Sequence, residues 1–163
     1  MKPLVLAALV ALAALPAQAS SLYDLRGVAK LLASVPAISS ELVQGRRVYT
    51  VKGASSGGFV WPDTIDDGYL ANGQEVLIVP LLSGGTGGVY TTLLWTRLDG
   101  AWKFVGYIPS DGHLLVTLQG GKINVVRPIY KASDARCCPS KRSVEVDTLD
   151  GIVLRLIERF ETT

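Results

Sequence analysis

The chain has 163 residues, a formal net charge of +2, two cysteines and one histidine. That length suits one ordinary domain and not two, and the near balance of 16 basic against 14 acidic residues excludes a strongly charged nucleic-acid or anionic-membrane surface. Two cysteines exclude a disulfide-dense mini-scaffold and, with a single histidine, supply too few soft ligands for a structural zinc site.

Lys2 precedes an apolar run from Leu4 to Leu15, which Pro16-Ala17-Gln18-Ala19 ends with the small-x-small pattern of a signal-peptidase site. The run is about a dozen residues long, against the ~20 that a bilayer-spanning helix needs. Residues 1–19 therefore read as a secretory signal peptide, and 20–163 as a single β-rich domain that is periplasmic or secreted. No cysteine near Ala19 offers a lipid attachment point, and no later segment is apolar enough to span a membrane. Loss of Lys2 with the leader lowers the net charge from +2 to +1.

Leu22, Leu25, Val28 and Leu32 recur at helical spacing, with Leu31 beside them, and Pro36 stops the pattern. This predicts a one-faced helix packed on a sheet. From Arg46 the pattern changes to short β-like runs. Arg47 to Lys52 alternates, a Gly/Ser loop follows, and Phe59-Val60-Trp61-Pro62 comes next. Asp63 to Gly73 is turn-rich. Glu75 to Leu82 is continuously apolar, as in a strand covered on both faces, and Pro80 within it points to a bulge or an edge.

Val89 to Leu98, Ala101 to Ile108, His113 to Leu118 and Lys122 to Tyr130 are further runs. They are joined by Asp99-Gly100, by Pro109 to Gly112, and by Gly120-Gly121. Ser143 to Asp147 alternates, Asp150-Gly151 turns, and Ile152 to Phe160 closes the chain. That last run fits a strand or a helical face; its β-branched residues favour a strand. The expected fold is mainly β (α+β): an antiparallel meander or curled sheet of about eight strands with one N-terminal helix packed on it. Two expected core sets are Trp102, Phe104 and Ile108 on one side of their strand, and Leu114, Val116 and Leu118 on one side of the next.

Candidate chemistry is sparse. The Ser83 to Gly88 loop lacks the helix and lysine of a phosphate cradle. Asp63 to Gln74 mimics a calcium loop, but Ile65 and Gln74 stand where ionised ligands belong. No G-x-S-x-G pattern occurs, and His113 is the only histidine, conceivable as a partner for Cys137 or Cys138. Trp61, Trp95, Trp102, Tyr90 and Tyr107 could line a groove or pack across strands. No catalytic residue, metal or cofactor is assigned.

Cys137 and Cys138 are adjacent and precede Pro139. In an exported protein they are expected to pair. Adjacent Cα atoms lie ~3.8 Å apart, less than the ~4.4–6.8 Å of ordinary disulfides. A vicinal bridge is therefore strained and closes almost no loop, so it shapes a turn and does not staple the fold. Two thiols, or bridges between molecules, are the rival states.

Asp66-Asp67-Gly68, Glu75 to Leu82, Gly84-Gly85-Thr86-Gly87, Asp99-Gly100, Lys122 to Val126 and Cys137-Cys138-Pro139-Ser140 follow one another in an order that resembles an exported bacterial domain of unknown function. It is similar to the LppP/LprE-type lipoproteins around the Cys-Cys-Pro-Ser segment, but lacks their lipid-attachment cysteine. The resemblance implies fold and location and no activity.

The expected function is a non-enzymatic binding or envelope-associated domain for an unknown protein, peptide or glycan. No nucleic acid is expected as a partner. Its expected contact surface comprises Gly84, Gly85, Thr86 and Gly87 with Arg136, Lys141 and Arg142 beside the Cys-Cys turn. The alternatives are a thiol/disulfide redox protein using the vicinal cysteines, with Arg136 depressing a thiol pKa, and an inhibitor of an envelope enzyme.

Overall fold

The computed structural model describes residues 25–53, 57–83, 88–110, 113–135 and 138–163. The leader, the glycine loop 84–87, Arg136 and Cys137 lie outside the described residues. One helix, α1 (Leu25–Ala33), precedes eleven strands among the described residues. These are β1 (Ile38–Val43), β2 (Arg46–Val51), β3 (Phe59–Val60), β4 (Asp66–Tyr69), β5 (Glu75–Leu82), β6 (Val89–Leu98), β7 (Ala101–Pro109), β8 (Leu115–Gln119), β9 (Lys122–Ile129), β10 (Lys141–Asp150) and β11 (Val153–Thr162).

All pairings are antiparallel, as tight turns demand. β5, β6 and β7 form one meander, and β8 to β11 form another. The short strands β3 and β4 share the free side of β5, pairing with its two ends. Pro80 falls between those two stretches, so on that side no ladder reaches its missing N–H. The β1–β2 hairpin attaches through a Tyr49–Gly58 bridge, with both backbone hydrogen bonds made at 2.8 and 2.9 Å.

β5 is buried on both faces, as its apolar run predicts. Leu77, Val79 and Leu81 join Leu93 and Trp95 beneath Val28 and Leu32 of α1, with Tyr49 and Val51 of β2. A helix of nine residues is marginal alone. Burying Val28 and Leu32, each 1% exposed, contributes about 1.5–3 kcal/mol per side chain and fixes it on the sheet. On the opposite face Val76, Ile78 and Leu94 meet Leu114, Val116, Ile123, Val125 and Leu149 of the second meander. Leu118 packs at its margin, so the expected Leu114, Val116 and Leu118 set is one face.

The other expected set is split. Trp102 and Phe104 face the α1 side, whereas Ile108 is buried on the opposite side. The cause is a bulge: Leu94 opposes Gly106 and Trp95 opposes Phe104, leaving Val105 extra and reversing the alternation. The strand count also exceeds eight. β1 has one half-buried residue in six and carries little apolar signal, and β4 (Asp66–Tyr69) is a polar segment held by the free side of β5. The last segment is a strand, β11, paired along β10.

A candidate binding cleft beneath the helix

The two chain segments that meet under α1 do so because of glycine. A side chain at Gly57 would stand 2.5 Å from Val48 Cγ1 and from Thr50 Oγ1, so only glycine allows β2 and β3 to approach this closely. β3 ends at Val60, and Trp61 follows it. The residue before proline must be extended, and Trp61 is (φ −112, ψ 128). Pro62 starts a single 3-10 turn, in which Thr64 donates both its N–H and its hydroxyl to the Trp61 carbonyl at 3.1 and 2.8 Å. The indole is fixed at its root while the residue stays 48% exposed.

The resulting cleft has a volume of about 430 Å³, within the range of roughly 300–1,000 Å³ typical of small-molecule sites. Val28, Ala29 and Leu32 supply one wall; Val60 and Pro62 continue the apolar lining. Tyr49 and Phe59 add aromatic surface, and burial pushes the Tyr49 phenol above its ordinary value, with Arg47 opposing that shift, so it stays neutral.

Two cations stand on the cleft, and among the described residues none of its lining is acidic. The Arg46 guanidinium carbon lies 6.0 Å from the Phe59 ring centroid and 5.9 Å from that of Trp61, within cation–π reach of both. Among the described residues no carboxylate pairs with Arg46 or Arg47. Arg47 donates from Nη1 to Ser40 Oγ at 3.1 Å across the β1–β2 hairpin.

Of the surface expected from sequence, only Lys141 and Arg142 fall among the described residues. Gly84, Gly85, Thr86, Gly87, Arg136 and Cys137 fall outside the described residues. Ser83 donates its N–H to the Gly88 carbonyl at 3.0 Å, closing the base of the glycine loop. Lys141 is paired with Glu161 at 2.8 Å, and Arg142 is exposed opposite Pro128 and Thr162. Arg127 of β9 donates to the Pro109 carbonyl of β7 at 3.0 Å, and Pro109 opposes Thr91 near the start of β6, so β7 stands between the strand before the Cys-Cys turn and the strand after the glycine loop.

Cys138 is exposed, and its N–H donates to the Ala135 carbonyl at 2.9 Å. The turn around it is organised by a carboxylate that sequence reading passes over. Asp134 Oδ2 accepts the N–H of Lys131 at 2.7 Å and of Ser140 at 2.9 Å, and these bonds lower its pKa. Asp134→Ala should therefore speed amide exchange at Lys131 and Ser140 while leaving β9 and β10 protected, as two-dimensional NMR exchange would read. In the parent protein that protection holds above the ordinary carboxylate pKa and fades as pH falls through the depressed one.

His113 is exposed. The apparent calcium loop is a strand and turn: Asp66 Oδ2 accepts the Leu118 N–H at 2.7 Å, and burial, then Asp66 and Glu75, raise the pKa of Asp67. Among the described residues no group of three or more His, Cys, Asp or Glu is placed to hold a metal ion. Of the five aromatics weighed from sequence, Trp61 alone lines this cleft. Its companions Arg46, Tyr49 and Phe59 carry no sequence signal, because Gly57 and Gly58 bring them together only in the fold. No family model, curated protein or solved structure matches the chain.

Proposed function

We propose that the chain is an exported, non-enzymatic binding domain of the cell envelope whose ligand occupies the cleft under α1. The observation that carries this reading is the cleft itself: an apolar cavity lined by an arginine within cation–π reach of two aromatic rings. Among the described residues its lining holds no carboxylate, histidine, serine or cysteine, and so no acid–base or nucleophile–base pair. The leader and the Cys-Cys-Pro resemblance support export, and the vicinal Cys137–Cys138 disulfide belongs to the same reading.

A neutral fluorophore, N-phenyl-1-naphthylamine, tests the site. It should bind the purified protein once per chain, and Ala29→Trp, which fills the cleft from α1, should weaken binding at least about tenfold without lowering Tm by more than a few degrees. Unchanged binding by a folded Ala29→Trp protein would remove the cleft as the ligand site.

A further inference from the structure

We infer that the cleft selects an amphiphilic carboxylate: an aliphatic or aromatic apolar body ending in a planar monoanion. This deepens the proposed function and rests on it. The walls from Val28, Ala29, Leu32, Val60 and Pro62 offer an apolar ligand body dispersion contact and shelter from water. A wholly apolar ligand would leave Arg46 and Arg47 unused, and among the described lining residues these are the charged ones.

Arg46 is the discriminating group. Its two ring contacts hold the guanidinium near the cleft mouth, yet rings satisfy charge and not the directional N–H donors. Among the described residues nothing accepts a hydrogen bond from it, and none is ion-paired with it. A guanidinium offers parallel donors in a plane, which a carboxylate matches with two oxygens. Arg47 has one donor engaged by Ser40 and adds positive potential at the same rim. A cationic amphiphile would place like charge against both arginines, and a neutral alcohol would leave the fork unmatched.

The test compares dodecanoate, 1-dodecanol and dodecyltrimethylammonium, each below its aggregation threshold, as competitors of N-phenyl-1-naphthylamine on the purified protein. Dodecanoate should compete about tenfold or more better than the alcohol, since hydrogen bonds to charged groups outweigh neutral ones, and added salt should narrow the gap. The ammonium should be the weakest. Arg46→Gln should bring the acid to within about twofold of the alcohol while the alcohol's own affinity holds, and Arg46→Lys should keep only part of the preference. Thermal melts confirm that both variants fold.

Equal competition by acid and alcohol, or an acid preference that survives Arg46→Gln, overturns the inference even when the neutral fluorophore binds and the cleft reading stands. Failure of the fluorophore itself refutes the cleft reading. Amphiphile binding that appears only after proteolysis ahead of Leu25 would make the chain's own preceding segment the occupant, and would also overturn the inference.

Discussion

Trp95→Ala should destabilise the protein by about 3–5 kcal/mol, the range for removing a buried large aromatic. Trp95 is 1% exposed at the centre of the α1-side core, between Leu93 and the Phe104 ring. That ring lies 5.1 Å away at 58°, a tilted contact that adds to the area term. The indole also stands at the bulge, where Trp95 opposes Phe104 and the register changes. Rotamer changes alone cannot fill the space it leaves, because its neighbours are fixed by the β6–β7 ladder. Urea unfolding should show a lower midpoint with an unchanged slope.

Trp61→Ala should behave in the opposite way. Trp61 is 48% exposed, so its loss should scarcely move the urea midpoint and should weaken ligand binding. A loss below about 1 kcal/mol for Trp95→Ala would mean that α1 re-docks over the gap, and the view of α1 as rigidly seated would fail.

That contrast marks what sequence reading can reach. The helical spacing of Val28 and Leu32 and the two-faced run of β5 are local patterns, and both appear in the fold. Asp99-Gly100 and Gly120-Gly121 announce hairpins through backbone freedom alone, and all four residues have positive φ. Gln44-Gly45 has the same conformation, with φ of 51 and 76, but a glutamine gives no such warning, so β1 goes unnoticed. Periodicity fails where a bulge changes the phase, as at Val105. It also fails at the cleft, whose residues come from α1, β2 and β3 and share no local pattern. A glycine's close approach becomes visible only when the second strand is in place.

β10 carries the sharpest conflict between pattern and place. Ser143 to Asp147 alternates polar with valine, which reads as valines inward and charges outward. In the fold Asp147 opposes Ile123, a core residue, and is 4% exposed. Leu149, two positions on, joins the same core.

Burial raises the Asp147 pKa above its ordinary 3.8, the neighbouring Glu145 raises it further, and Arg159 and Arg127 pull it back. Arg159 is itself paired with Glu145 at 2.7 Å, and Arg127 donates to the Pro109 carbonyl, so neither cation serves Asp147 alone. The folded state therefore holds this proton more tightly than the unfolded chain does.

By linkage, the stability from protonated Asp147 is fully present below about pH 3.8 and is lost as pH rises through the raised folded value. Asp147→Asn keeps a neutral side chain of the same shape at every pH. It should match the parent near pH 3.5 and exceed it at pH 7 by on the order of 1–2 kcal/mol, the scale of an imperfectly compensated buried polar group. The quantity to measure is the difference between the two urea midpoints at each pH, because Asp134 and the surface carboxylates contribute equally to both proteins. Should Asp147→Asn prove the less stable at pH 7, the arginines outweigh burial, and Asp147 is an ionised member of a four-residue charge network with Glu145, Arg127 and Arg159.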